Sequence, residues 1–349
     1  MAETLSAQQR ANLFSMSTRQ NLQMIAKKSV TTPNTSIEFS LPKARLLSNI
    51  FLKVKAKVKV KHASLTTIAC DSLAPHRLIR RYSVDLNNGF QPWSISGEGA
   101  YILSLIQPNA NMCIEKSAYT GGETELKASA SGTSNEVFFT IQLPVTLNQR
   151  DPVGLILLQS DTTIVDLRVD VGNPADMIPN AAGFTFELEN VEIEPMLETF
   201  SIPQNESAMP DLSVLKLAQD RVDTITSAGQ QEIKLSTGTI YRKLALYVTD
   251  ENGVPSNDML TGNIDLVFNT ADCNYSVSPE MLRAKNAFDL GHATPDGVYI
   301  FDFSNQGVPN FGGVRDYIDT AKLSYFTTKL ATTGAGKVKV ITECLARLA

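Results

Sequence analysis

One pattern of alternating apolar residues occurs twice along the chain, in the same order. Ile37, Phe39 and Leu41 alternate with polar neighbours. A short turn with Pro42 and Arg45 follows, then Leu46, Ile50, Leu52 and Val54. The pattern returns with Ile233 and Leu235, a Thr237-Gly238-Thr239 turn, and Ile240, Leu244, Leu246 and Val248. The closing segments also correspond. Phe184-Thr185-Phe186-Glu187-Leu188 ends the first copy after Gly183, and Val338-Lys339-Val340-Ile341 ends the second after Gly334 and Gly336. Between them, Val137–Leu143 matches Tyr299–Phe303 in place, and Asp161-Thr162 matches Asp319-Thr320. Period-two alternation sends successive side chains to opposite faces of a strand. Two such units in tandem predict an all-β chain of two sandwiches, with longer loops in the first because the second copy is shorter.

The 349 residues suffice for two domains with real cores. Mean hydropathy is −0.07 and 43% of residues are hydrophobic, the balance of a water-soluble chain. The longest apolar run, Val153 to Leu158, is far below the ~20 residues of a membrane span. No basic segment followed by an apolar one opens the sequence, so no signal peptide is expected. Cys70, Cys113, Cys273 and Cys344 are dispersed and read as reduced core thiols. The net charge of −5 is unevenly spread: residues 1–62 hold eleven Lys/Arg and only Glu3 and Glu38 as acids. That asymmetry points to one face meeting an anionic partner.

Residues 4–28 lack Gly and Pro and read as a basic amphipathic helix. Phe14, Leu22 and Ile25 share a face, flanked by Arg10, Arg19, Lys27 and Lys28. Such a helix can lie on an anionic membrane surface, or pack on its own domain or a neighbouring subunit. Phe51–Lys61 is the clearest strand. Leu52, Val54, Ala56, Val58 and Val60 line one face, and Lys53, Lys55, Lys57, Lys59 and Lys61 the other. The lysine face is read either as a solvated outer face that resists edge aggregation or as a surface paired with an acidic face of a sister subunit. Nucleic acid is disfavoured because no aromatic residue interleaves with the lysines. Glu187, Glu189, Glu192 and Glu194 recur along another strand and are a possible partner for them.

Domain bounds follow: a basic N-terminal helix or arm over 1–35, a first jelly roll over 36–200, a connector over 201–229 and a second jelly roll over 230–349. Each roll has room for eight strands. Within the first, Gly97-Glu98-Gly99 and Gly121-Gly122 read as turn or loop, and Tyr101–Ile106 as a strand. Leu212, Leu215, Val222 and Ile225 fall at helical steps, so the connector is expected to carry a helix over 211–225. Ser278-Pro279-Glu280 opens a helix that Gly291 closes.

Motifs of catalysis are missing. His62, His76 and His292 are isolated and offer no metal-binding spacing. There is no phosphate-cradling glycine loop and no nucleophile elbow. Trp93 is the only tryptophan, too few for a sugar-stacking platform. No cofactor and no enzymatic activity are expected.

The basic N-terminal helix, two tandem β-units, helical connector and short helix in the second unit resemble the double jelly-roll major capsid proteins of tailless double-stranded DNA viruses with an internal membrane, the tectivirus type. Asn12–Lys28 and Val314–Leu348 carry the most sequence-like part. The resemblance implies a homotrimer whose six jelly rolls form a pseudo-hexagonal capsomer of an icosahedral bacteriophage shell. It implies a virion protein made in the host cytoplasm. Its partners would be further copies of itself, penton and minor capsid or membrane proteins, and an anionic internal membrane under the N-terminal helix, with no direct sequence-specific nucleic acid. Arg10, Arg19, Lys27 and Lys28 would then lie near lipid headgroups, with Phe14, Leu22 and Ile25 as anchors. Two other readings remain at this point: a two-domain β-sandwich hydrolase of glycans or amides, and a viral receptor-binding or spike protein.

Overall fold

The computed structural model describes residues 7–87, 89–106, 125–147, 153–159, 164–269, 272–304 and 317–347. Gly121-Gly122, Asp161-Thr162 and Cys113 lie outside these. The chain opens with helix α1 (Ala7–Ser17) and strands β1 (Gln20–Met24), β2 (Lys28–Val30), β3 (Ser36–Ser40), β4 (Leu46–Lys61) and β5 (Thr67–Ala69). Strands β6 (Ile79–Leu86) and β7 (Phe90–Ile95) follow, then helix α2 (Gly97–Leu105). The first unit ends with β8 (Glu125–Lys127), β9 (Thr133–Pro144), β10 (Ile156–Leu157), β11 (Val165–Val171) and β12 (Thr185–Phe200). The second has β13 (Val214–Ile225), β14 (Gly229–Lys234), β15 (Ile240–Asp250), β16 (Leu260–Phe268) and β17 (Asp272–Val277). After helix α3 (Pro279–Leu290) come β18 (Val298–Asp302), β19 (Ile318–Asp319), β20 (Phe326–Thr332) and β21 (Gly336–Arg347).

Both units are eight-stranded jelly rolls. In the second, the sheets run β13-β21-β15-β18 and β14-β20-β16-β17. In the first they run β1/β2-β12-β4-β9 and β3-β11-β6-β7. Numbering the strands one to eight along each unit, with β1 and β2 together as the first, both give the orders 1-8-3-6 and 2-7-4-5. The duplication extends to irregularities. Strand three carries a β-bulge, at Ser48 in β4 and Arg242 in β15, opposite the step just after a buried glutamate of strand eight, Glu198 in β12 and Glu343 in β21, and the residues beyond that glutamate pair with the start of strand three in both units. The crossing from strand two in one sheet to strand three in the other is likewise repeated, with Leu41 to Leu46 matching Leu235 to Ile240.

Three expectations are corrected. Residues 20–24 and 28–30 are strand, not a continuation of a helix. The Ser17 and Thr18 hydroxyls bond back to the Leu13 and Phe14 carbonyls and end α1. The free edge of β12 then offers backbone partners to β1 and β2. Residues 214–225 are strand β13, not a connector helix, because twelve residues pair in register with β21. Residues 97–105 are helix α2, not a turn and a strand. Its residues are buried all round, which erases the polar–apolar period by which a helix is read.

The two units share one sheet. β7 and β13 pair in parallel at Trp93–Ala218 and Ser94–Gln219. This joins β3-β11-β6-β7 to β13-β21-β15-β18 in a nine-stranded sheet that includes β19. The largest core crosses this seam: Ile341, Ala245, Tyr247, Val298 and Ile300 pack with the first unit's Trp93, Ile95 and Tyr101. The second sandwich has its own core around Leu244, Leu266, Tyr299, Phe326 and Leu330.

Candidate functional site

One end of the molecule, here the base, gathers α1, the start of β4, the end of β12 and the start of β13. Phe14 packs there on Leu46 and Leu155, with its ring 5.5 Å edge-on from Phe200. Only 6% exposed, it plugs its own subunit and does not face outward as an anchor. Arg10 lies within α1 and Arg19 just after it, exposed, with its backbone paired to Ser201 on both sides. The other expected membrane residues climb away from the base. Leu22 lies opposite Glu198, and Lys28 opposite Ile193, seven residues up β12 from Phe200, or ~23 Å at strand rise. Ile25 packs on the main core. Lys27 pairs with Glu192 at 3.0 Å, and Lys28 lies over the Phe39 ring while donating to the Glu38 carbonyl. The structure therefore does not bring the seven residues onto one surface. Leu22 and Met24 are 59% and 55% exposed on β1, and Met16 of α1 is also exposed.

The lysine strand is β4, and its alternation holds. Leu52, Val54, Ala56, Val58 and Val60 are buried, each contributing about 1.5–3 kcal/mol where the side chain is large. The register sets Lys53 opposite Glu194, Lys55 opposite Glu192 and Lys59 opposite Glu187 on β12, and Lys57 opposite Glu136 on β9. Lys55 reaches Glu136 at 2.9 Å and Lys61 pairs with Glu187. Carboxylates of the same chain thus face the lysines across the sheet in solvent-exposed pairs.

Charge is buried where the units meet. Arg77 donates through Nε to Glu98 (2.8 Å), through Nη1 and Nη2 to Asp71 (2.8 and 2.7 Å), and through Nη2 to the Tyr247 hydroxyl (3.0 Å). Lys339 from β21 pairs with Glu98 and donates to Ser96 Oγ at 3.0 Å. Ser96 caps α2 by accepting from Gly99 N–H, and its own N–H donates to Asp220 of β13. Burial pushes the Glu98 carboxyl up, but Lys339 and Arg77 outweigh it and hold it below its ordinary value. Only glycine fits at 97, where a Cβ would lie 2.0 Å from the His76 carbonyl oxygen. Nearer the base, Lys216 pairs with Glu343 at 3.0 Å, and Lys216 Nζ sits 5.6 Å from the Trp93 ring centroid across the seam. Burial opposes ionisation of Glu343, yet Lys216, Lys243 and Arg242 bring it down to about 2. Every carboxylate here has its cations in place, so these clusters lock two bodies together. A hydrolase cleft between the units would have to run where Arg77, Glu98, Lys339 and Tyr247 are packed.

The histidines are apart. His76 stacks on Tyr101 at 4.3 Å and lies tilted against Phe139 at 4.4 Å, and burial, with Arg77 adjacent, lowers it to about 3. His62 lies against Phe184, and His292 Nε2 is 3.1 Å from the Leu105 carbonyl. Burial pushes the Cys344 thiol up to about 12, away from reactivity. Among the described residues no group of three His, Cys, Asp or Glu side chains could hold a metal ion.

The seam residues were missed from sequence, although a signal for them exists. Trp93-Ser94-Ile95-Ser96-Gly97-Glu98 has a counterpart in Tyr275-Ser276-Val277-Ser278-Pro279-Glu280. Each hexapeptide ends strand five and begins the helix after it, with Ser96 or Ser278 as N-cap.

Solved structures resemble the chain along nearly its whole length. The major capsid protein of Sulfolobus turreted icosahedral virus is 16% identical, with a TM-score of 0.71 over 94% of this chain and 97% of that one. The PBCV-1 virus capsid protein is 10% identical, with a TM-score of 0.64 over 94% of each. The major capsid protein P2 from bacteriophage PM2 is 11% identical, with a TM-score of 0.57 over 95% and 98%. At these identities the likeness shows a common fold, the double jelly roll. No protein-family model and no curated protein matches the sequence.

Proposed function

We propose that this chain is the major capsid protein of an icosahedral virus and that three copies close into one pseudo-hexagonal capsomer. The observation that carries the reading is the residue-level duplication of an eight-stranded jelly roll over the whole chain, in a fold shared by viral shell proteins. Two like bodies per chain make a ring of three chains nearly six-fold, so it can tile a hexagonal lattice with equivalent neighbours. Stiff sandwiches joined through one continuous sheet suit a protein whose work is done at interfaces. The base, with Arg10, Arg19 and Met16, faces an anionic internal membrane in this reading. Penton and minor capsid or membrane proteins are its other partners, and no sequence-specific contact to nucleic acid is involved. The protein is made in the host cytoplasm and resides in the virion.

Light scattering after gel filtration tests this. The expected species has three times the 38.0 kDa chain mass and survives high salt. In the same preparation, anionic vesicles should co-float the protein, and the Arg10→Glu/Arg19→Glu variant should lose that binding. A species that stays monomeric at all concentrations would sink the capsid reading, and vesicle binding indifferent to both arginines would sink the membrane-facing base.

A further inference from the structure

The in-chain seam has an unfilled equivalent at the far side of the second unit. In the first unit, strand five (β7) and the helix after it (α2) dock on strand one of the second (β13). The second unit repeats strand five as β17 and the helix as α3. Among the described residues β17 pairs only with β16, and α3 presents Met281 and Phe288, 64% and 89% exposed. They lie seven residues apart, on one helix face. Among the described residues strand one of the first unit, β1, is paired only with β12, and it shows Leu22 and Met24 to solvent.

The buried glutamates fix which residues correspond. Ala218 lies opposite Glu343 and Leu22 opposite Glu198, so Gln219 corresponds to Gln23 and Asp220 to Met24. The repeated hexapeptide makes Ser94 correspond to Ser276, Glu98 to Glu280 and, one residue on, Gly99 to Met281. The bridge Ser94–Gln219 therefore has the same residue types waiting at Ser276 and Gln23. Beside it, a Cβ on Gly99 would lie 3.0 Å from the Asp220 carboxylate. At the equivalent positions both members are changed together, to Met281 and Met24, an apolar pair that is solvent-exposed on the single chain. Charge differs between the two places. Glu98 is held in the chain by Lys339 and Arg77. Glu280 is exposed, and the position of Lys339 is taken by Glu194 on β12, with Lys27 beside Glu192 and Glu194.

We propose that β17 and α3 of one copy dock on the β1 edge of a second copy as β7 and α2 dock on β13 within the chain, with Ser276 beside Gln23 and Met281 against Met24 of the next copy. The contact is head-to-tail, so it forms a closed ring or an open chain and not a two-fold dimer. It rests on the self-assembly reading above and names the surfaces that assembly uses.

The test is a disulfide between copies. Parallel strand partners lie within the Cα separation a disulfide spans. The Gln23→Cys/Ser276→Cys double variant, in a background with Cys273→Ser and Cys113→Ser, is oxidised mildly and run on a non-reducing gel. Bands of two and three linked chains are expected in the double variant and absent from either single one. A second variant pair reads the apolar contact: Met24→Lys or Met281→Asp alone should lower the assembled fraction, and the two together should restore it. Protein that assembles by light scattering yet neither cross-links nor shows this rescue would overturn the assignment of surfaces and leave the capsid reading standing. Protein that never leaves the monomer would overturn both.

Discussion

His76 shows how a single side chain ties this fold to pH. Its imidazole lies between the Tyr101 and Phe139 rings with Arg77 beside it, so burial and that cation hold it neutral down to about 3. In the unfolded chain it takes a proton below its ordinary value of 6.5. Between those limits the unfolded state binds more protons, and the stabilisation, complete above pH 6.5, is lost as pH falls. The slope is about 1.4 kcal/mol per pH unit. Glu343 works in the same direction lower down. Its depressed folded value means that its contribution is present above its ordinary carboxyl value and fades as pH drops toward about 2. Stability to urea should therefore fall from pH 6.5 downward and more steeply below about 4.5. His76→Phe, which keeps a ring between Tyr101 and Phe139, should flatten the upper part of that profile only. An unchanged slope between pH 6.5 and 5 in the variant would show that His76 is not the group responsible.

At the level of elements, the paired caps Ser96 and Ser278 give an internal control. Both begin a helix after strand five, and each side chain accepts from the N–H three residues on. Ser278 does only this at the surface, so Ser278→Ala should cost about 1 kcal/mol. Ser96 also receives Lys339 and bonds Asp220 at the seam, so Ser96→Ala should cost a further ~1–3 kcal/mol for the buried groups left short of partners. Equal losses in guanidinium melts would mean that the seam cluster adds nothing beyond the cap. The same pair explains what could be read from sequence. α3 was legible because its Ser278–Pro279 start and Gly291 stop are local chemistry, and Gly291 takes the left-handed conformation at φ 74°. β4 was legible because one of its faces is wet and the other buried. β1 and β13 were not, since their conformation is set by the edges they join, β12 and β21, each more than a hundred residues away in sequence. α2 was hidden by burial on all sides. The candidate surface was half visible: the exposed lysines and the basic N-terminal segment stand out in composition, whereas the seam depends on a six-residue repeat in which only the two serines and the glutamate are identical.

For the whole molecule the consequence of the shared sheet is mechanical. Two sandwiches joined by a loose linker would unfold separately, each with its own core. Here backbone hydrogen bonds run from β3 to β18 across both units, and the larger core draws side chains from each. The isolated chain should therefore lose both units in one thermal transition, with calorimetric and van 't Hoff enthalpies in agreement. Ala218 is the place to break this. It is fully buried, pairs with Glu343 on β21 and meets Trp93 on β7. Proline there removes a backbone donor from a central strand, at a cost of about 3 kcal/mol or more. It acts where the units join and leaves most of each sandwich intact, so Ala218→Pro should separate the single transition into two, the first unit's core and the second's melting apart. Two transitions already present in the unmodified chain would mean that the nine-stranded sheet does not couple the units. A ring of such chains would inherit the coupling, because the contact assigned between copies continues the same strand-to-strand geometry. A load on one jelly roll would then pass to the next through paired backbone whether or not a chain boundary lies between them.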